Sequence, residues 1–206
     1  MTIIIAAKFN GSVYVAYDTL VSELVKGRYV DSGSPTRKWR QVGDYPVCMG
    51  VSGKVDSGLF DGLQEQLAKY EHDWEGGIDR FVRVHTPDSE DRMFMSFLGL
   101  EFLFTFPQEQ GIDLRRRDNY GGSRNGEINV GGIGFGYTPD VETFVKRRVN
   151  RCRDDASLVA LLRNAVELAK SNAEKDPENH DGRMLRGFGL SRVTMPGLEE
   201  LEFCTN

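Results

Sequence analysis

Thr2 stands directly after Met1, and a threonine one step from a chain start can carry two reactive groups on one residue. Methionine ahead of a small residue is routinely removed, which would leave Thr2 as the N-terminus. Its hydroxyl would then be a nucleophile and its own α-amine the general base. An α-amine has a pKa of roughly 7.7–8, so much of it is neutral near pH 7. Sixteen positions later the apolar run Val15-Ala16-Tyr17 ends in the carboxylate of Asp18. The plainer alternative is that Thr2 only starts a β-strand and Asp18 only begins a turn.

Other residue types point to less chemistry. Cys48, Cys152 and Cys204 are far apart and form no CxxC pair, so neither a zinc site nor a disulfide framework is indicated. His72, His85 and His180 form no ligand pattern. Gly131, Gly132, Gly134 and Gly136 precede a helical stretch, and a glycine-rich loop there could cradle phosphate. No Rossmann fingerprint or P-loop lysine accompanies them, so glycine packing at a helix turn is the stronger expectation.

The composition is that of a soluble protein, with 39% hydrophobic and 28% charged residues over 206 positions. A net charge of −5 argues against general binding to nucleic acid or a membrane surface. The one basic run, Arg115-Arg116-Arg117, is flanked by Asp113 and Asp118 and reads as a solvated loop or a subunit contact. No apolar stretch approaches the roughly 20 residues of a membrane span, and the start lacks a signal-peptide pattern. A cytoplasmic protein is expected.

The elements that must place Thr2 and Asp18 begin with a hairpin. Ile3–Ala7 is apolar and β-branched, Asn10-Gly11 is a strong hairpin turn, and Ser12–Tyr17 returns. Ser22–Thr36 reads as loop with an edge strand. Tyr45–Val51 reads as a strand ending at Ser52-Gly53. A cap at Asp56 or Ser57 opens a helix through Leu59, Phe60, Leu63, Leu67 and Tyr70. Trp74–His85 is ambiguous, because Gly76-Gly77 weakens a helix there. Met93–Phe106, Gly111–Arg117 and Glu127–Val130 read as strands, with Asn119–Gly126 a turn-rich connection. Thr138-Pro139 opens one helix in cap-then-proline order. Asp154 or Asp155 caps a second, whose apolar face runs from Leu158 to Ala169. Arg183–Phe203 returns to strand, turning at Pro196-Gly197. No linker or repeat divides residues 1–206, so one domain is expected. Strands and helices come in blocks, which favours layered α+β packing over alternating parallel βαβ units.

This ordered set resembles the β-subunits of the proteasome and the bacterial HslV peptidase, which are N-terminal nucleophile hydrolases. The residues that carry the resemblance are Thr2-Ile3-Ile4-Ile5, Asn10-Gly11 and Val15-Ala16-Tyr17-Asp18-Thr19. Thr36-Arg37-Lys38-Trp39 follows about four residues late, as though Tyr29–Pro35 held an insertion. Val47–Val51, Ser52-Gly53 and Val55-Asp56-Ser57 come next, and Leu198-Glu199-Glu200-Leu201 resembles the last HslV strand. The likeness is close over Thr2–Tyr70 and architectural beyond.

The resemblance implies a four-layer α-β-β-α sandwich in which the helices Pro139–Arg151 and Asp155–Lys175 cover one sheet. It implies a homo-oligomeric ring, hexameric or heptameric and often stacked in pairs, that hydrolyses unfolded polypeptide fed by a ring ATPase. It implies Thr2 as nucleophile, Lys38 lowering the pKa of its hydroxyl, Asp18 holding Lys38, and the Gly53 N–H facing the oxyanion. Ser22 would line the substrate strand and Val51 would floor the pocket for the side chain before the cut. No metal or cofactor is implied. Three departures stand out. Val130-Gly131-Gly132-Ile133-Gly134 lacks the serine of the family's Gly-Ser-Gly turn. Where the family has a late Asp and Ser, Asp181–Gly189 has Asp181 but then Arg183, Met184, Leu185 and Arg186, and Leu20 replaces a common arginine. A ring of the same fold that assembles without catalysis is the competing expectation.

Overall fold

Asn10 and Gly11 both adopt positive φ, 49° and 74°, as a two-residue type I′ turn requires. They join strand β1 (Thr2–Phe9) to β2 (Ser12–Tyr17) with Ile4 opposite Tyr17 and Phe9 opposite Ser12. The structure, a computed structural model, describes residues 2–20, 22–25, 28–31, 35–52, 58–85, 101–109, 111–118, 123–133, 137–175, 185–195 and 197–204. The remaining strands are β3 (Ser22–Val25), β4 (Arg28–Asp31), β5 (Trp39–Gln41), β6 (Cys48–Ser52), β7 (Glu101–Gln108), β8 (Gly111–Asp118), β9 (Ser123–Asn125), β10 (Ile128–Ile133), β11 (Phe188–Val193) and β12 (Leu198–Cys204). Among the described residues there are four helices, α1 (Leu59–Tyr70), α2 (Trp74–Val84), α3 (Tyr137–Val149) and α4 (Asp155–Lys175).

The fold is mixed α/β and its sheets are antiparallel. One has the order β10-β1-β2-β11-β12, the other β5-β6-β7-β8-β9, and β3-β4 forms a separate ribbon. Strand alternation sends side chains to both faces. Ile3, Ile5, Tyr14 and Ala16 join one cluster with Leu158, Leu162, Val166 and Ala169 of α4 and Val141 and Val145 of α3. Met49, Val51, Phe102 and Phe104 join a second with Leu59, Leu63 and Leu67 of α1 and Ile78 and Phe81 of α2. Ile4, Ala6, Val15 and Tyr17 meet Trp39, Cys48, Leu103 and Leu114 in a third that both sheets share. Strands buried on both faces read as near-continuous apolar runs, as Ile3–Ala7 does.

Several expectations need correction. Trp74–Val84 is one continuous helix despite its glycines. Asp73 caps it by accepting the Gly76 N–H at 2.9 Å, and Gly77, Ile78, Phe81 and Val82 supply a buried face. Ser22–Asp31 is a hairpin rather than loop with one strand. Ser123–Asn125, inside the expected turn region, pairs with Arg115–Arg117. α3 begins at Tyr137, so Thr138 and Pro139 lie inside its first turn, where proline loses no hydrogen bond because the first N–H groups have no helical partner. Asp154 is the residue that caps α4, accepting the Ser157 N–H at 2.8 Å. Gly131 and Gly132 are strand residues opposite Ile4 and Ile3, not a helix-turn loop. The expected caps Asp56 and Ser57, the stretch 93–100, Gly134, Gly136, His180 and Asp181 lie outside the described residues.

Arg115-Arg116-Arg117 lies on β8 rather than in a loop. Arg115 is buried and pairs with Glu75 of α2 and, at 2.9 Å, with Asp113. Arg117 reaches Asp79 at 2.7 Å. The guanidinium groups of Arg115 and Arg117 join the second sheet to α2.

Candidate active site

The antiparallel pairing of β1 and β2 brings the start of β1 and the end of β2 to one spot. Asp18 follows β2, and its backbone N–H still donates to the Ile3 carbonyl at 3.3 Å. Its side chain folds back, so that Oδ1 accepts the Ile3 N–H at 2.8 Å. A carboxylate that is 0% exposed needs both oxygens satisfied, and Oδ2 accepts from Lys38 Nζ at 2.6 Å. The same ammonium donates to Thr2 Oγ1 at 3.0 Å. Thr2, Asp18 and Lys38 thus converge, from residues 16 and 36 positions apart from Thr2.

Lys38 is not a strand residue. It sits one position before β5, in a segment tied down on both sides. The Thr36 N–H donates to the Thr19 carbonyl at 2.8 Å, and Trp39 is buried in the cluster between the sheets. Trp39 fits because Gly50 opposite it has no side chain. A Cβ there would come within 2.6 Å of Trp39 Cε3.

Burial pulls the Lys38 ammonium below its ordinary pKa, because an apolar surround disfavours the charged form. The Asp18 carboxylate opposes that pull through its charge and hydrogen bond. A cation this close to a hydroxyl would favour its alkoxide form. The thiols offer no rival nucleophile. Burial pushes Cys48 up to about 12. Cys152 is raised by burial, and Cys204 first by its contact with Glu202. A raised thiol holds little thiolate near pH 7.

The other expected residues are placed less directly. Val51 is buried on β6 and packs in the cluster under α1, with Leu59 and Leu63. Ser22 lies on β3, its backbone opposite Asp31. Gly53 lies outside the described residues. Across the β1–β10 pairing, the backbone of Ile133 is the partner of Thr2. Among the described residues, no group of three or more His, Cys, Asp or Glu could hold a metal ion. A cavity of about 350 Å³ lies at the opposite end of β1, against Lys8, Asn10, Glu127 and Cys152, and none of the three converging residues lines it.

Two neighbours of the site were given no place in it by sequence reasoning, the backbone of Thr19 and Gly187. Thr19 is 1% exposed, its N–H donates to the Arg186 carbonyl at 2.9 Å, and its carbonyl holds Thr36. The available signal was a pair of glycines, Gly187 and Gly189, in otherwise strand-like sequence, which marks close backbone approach. No protein-family model matches this chain, and no curated protein matches it significantly. No helix among the described residues is long and apolar enough to cross a membrane.

Proposed function

We propose that this chain is a threonine-type endopeptidase subunit of a self-compartmentalised ring, of the proteasome and HslV kind, in which removal of Met1 exposes Thr2. The observation that carries the reading is the Lys38 ammonium, which donates at once to Thr2 Oγ1 at 3.0 Å and to buried Asp18 at 2.6 Å. A buried ion pair alone needs no hydroxyl in its third position. Two antiparallel sheets with a shared apolar cluster and helices on their other faces support a four-layer sandwich of the N-terminal nucleophile class.

The chemistry is acyl transfer. Thr2 Oγ attacks the peptide carbonyl carbon while the freed α-amine takes the hydroxyl proton. The C–N bond of the tetrahedral intermediate breaks, and that proton passes to the leaving amine. Water then attacks the resulting ester and releases the acid and Thr2. Until Met1 leaves, the Thr2 nitrogen is an amide and has no basic lone pair. By the resemblance, Gly53 N–H would face the oxyanion, a donor typically worth about 2.7–4 kcal/mol. An unfolded chain would lie along Ser22 by strand addition, with Val51 beneath its side chain. A homo-oligomeric hexamer or heptamer, a partner ring ATPase and a cytoplasmic setting belong to the same proposal.

A second reading, assembly without catalysis, is favoured by one observation. The residue beside Thr2 on β10 is Ile133, where the resemblance calls for a hydroxyl nearby to support the amine. Reaction with a peptide epoxyketone separates the two, because a morpholine-type adduct needs both the hydroxyl and the free amine of an N-terminal threonine. Peptide mass spectrometry is expected to find the adduct on Thr2, with none in Thr2→Ala. Retained Met1 and no adduct would favour the non-catalytic ring. A free but unmodified Thr2 would mean that the altered surroundings leave the site incomplete.

A further inference from the structure

The segment that carries Lys38 is held from one side by the end of the chain. The Thr36 N–H donates to the Thr19 carbonyl at 2.8 Å, and the Thr19 N–H donates to the Arg186 carbonyl at 2.9 Å. Arg37, next to Lys38, makes a two-pronged contact with Glu200 of β12, one prong at 3.1 Å. Its guanidinium also lies 5.1 Å from the Phe203 ring centre. Thr19 Oγ1 lies 3.3 Å from the Cys204 carbonyl. Among the described residues, these contacts of the Arg37 side chain, and those that seat Thr19 behind Thr36, therefore come from the stretch 186–204.

Gly187 is the residue that permits this closure. Its φ of +66° is one that side chains resist. A Cβ there would overlap the Thr19 hydroxyl, lie 3.2 Å from Thr19 Cβ and come within 2.8 Å of the Cys204 carbonyl. Thr19 directly follows Asp18, so any push on it moves the carboxylate and the Lys38 segment together. We propose that Gly187, by letting the C-terminal hairpin close on Thr19, is a positioning residue that holds Lys38 against Thr2 and Asp18. The kinetic consequence rests on the peptidase reading, whereas the positioning itself does not.

The test follows the Lys38 side-chain amine by NMR titration in the full chain, alongside epoxyketone capture and peptide turnover. In G187A the Lys38 titration is expected to move up toward the ordinary lysine value of roughly 10.4, as the buried seat opens. Turnover is expected to fall on the order of 100-fold in kcat with little change in KM, the scale of a misplaced catalytic group. T19A is expected to change little, since its backbone bonds remain. The double variant T19A/G187A is expected to recover part of the loss, because the main overlap is gone. E202Q, which releases β12 from Arg163 of α4 instead, is expected to leave Lys38 unmoved. A folded G187A with an unchanged Lys38 titration overturns the proposal, as does an equal shift in E202Q. Should G187A not fold, Arg37→Ala, which removes that side chain's contacts to both Glu200 and Phe203, carries the test of the C-terminal hold, and an unmoved Lys38 there overturns it. A responsive Lys38 in a wild-type protein that forms no adduct sinks the peptidase reading and leaves the positioning role standing.

Discussion

Strand β1 has an ion-paired cluster at each end, and each cluster ties one sheet to the other. At the far end Lys8 pairs with Asp113 of β8 at 3.4 Å, and Asp113 pairs in turn with Arg115, which also reaches Glu75. At the near end Lys38 pairs with Asp18 at 2.6 Å. The far cluster shares its charges among four residues, and its Lys8 and Glu75 side chains are 33% and 46% exposed. The near cluster has one cation and one anion with side chains 7% and 0% exposed, and the cation's remaining described partner is a hydroxyl. The far cluster satisfies its charges among themselves at a part-exposed edge, whereas the near cluster holds a desolvated cation against a hydroxyl, the contrast on which the proposed chemistry rests.

Breaking the near pair should have the largest effect. Lys38→Met leaves the Asp18 carboxylate buried and uncompensated, which costs about 3–5 kcal/mol. Urea unfolding is expected to show that loss and, with it, no adduct at Thr2. Adding Asp18→Asn keeps an acceptor for the Ile3 N–H while removing the charge, so most of the stability should return and the reactivity should not. A K38M loss below about 1 kcal/mol, the scale of an exposed pair, would erase the contrast. At the far end, Arg115→Met removes hydrogen bonds to two carboxylates that water can still reach. Roughly 1–3 kcal/mol is expected, with reactivity at Thr2 retained.

The two ends should also respond to pH in the same sense but in different windows. Burial raises the Asp113 carboxyl, but Arg115, the Leu114 N–H and the Lys8 charge outweigh it and hold it below its ordinary value. The Arg115 hydrogen bond is the main cause that lowers Glu75. Folded values below the unfolded ones of about 3.9 and 4.3 mean that this stability is complete above those values. It is lost as pH falls through the folded ones, and thermal unfolding of Asp113→Asn should show a flatter acid limb. Lys38 is lowered, so above its folded value the native state holds fewer protons than the unfolded chain. Stability should therefore rise with pH from there to roughly 10.4, and K38M should lack that rise. The smallest effect is expected from Lys8→Gln, about 0–1 kcal/mol for a part-exposed pair, seen as a small shift in Tm.

Legibility followed the range of the interactions. The β1–β2 hairpin was readable because Asn10-Gly11 and the apolar run beside it are local signals. The amphipathic faces of α1 and α4 were readable from Leu59, Leu63 and Leu67 and from Leu158 to Ala169. Trp74–Val84 was not, because the Asp73 cap and the buried face of Ile78, Phe81 and Val82 had to outweigh two glycines. The strand Gly111–Arg117 was readable, but the setting of its arginines was not, because charge suggests solvent and only packing against α2 brings Glu75 and Asp79 within reach.

What the amino-acid order determined by itself was which groups exist and how far along the chain they lie: a hydroxyl at position 2, a carboxylate at the end of the returning strand, a lysine ahead of a tryptophan. Hairpin geometry alone carries Asp18 back to Thr2. Tertiary structure decided that Lys38 joins them. Its segment has no strand pairing at that position and is set by Thr19, by Trp39 beneath Gly50 and by the turn at Gly187. Those contacts span up to 168 residues, from Thr19 to Gly187, and no local propensity records a partner that distant. The strength of the pair is tertiary too, since an ammonium and a carboxylate interact weakly in water and strongly only where the surrounding core excludes it.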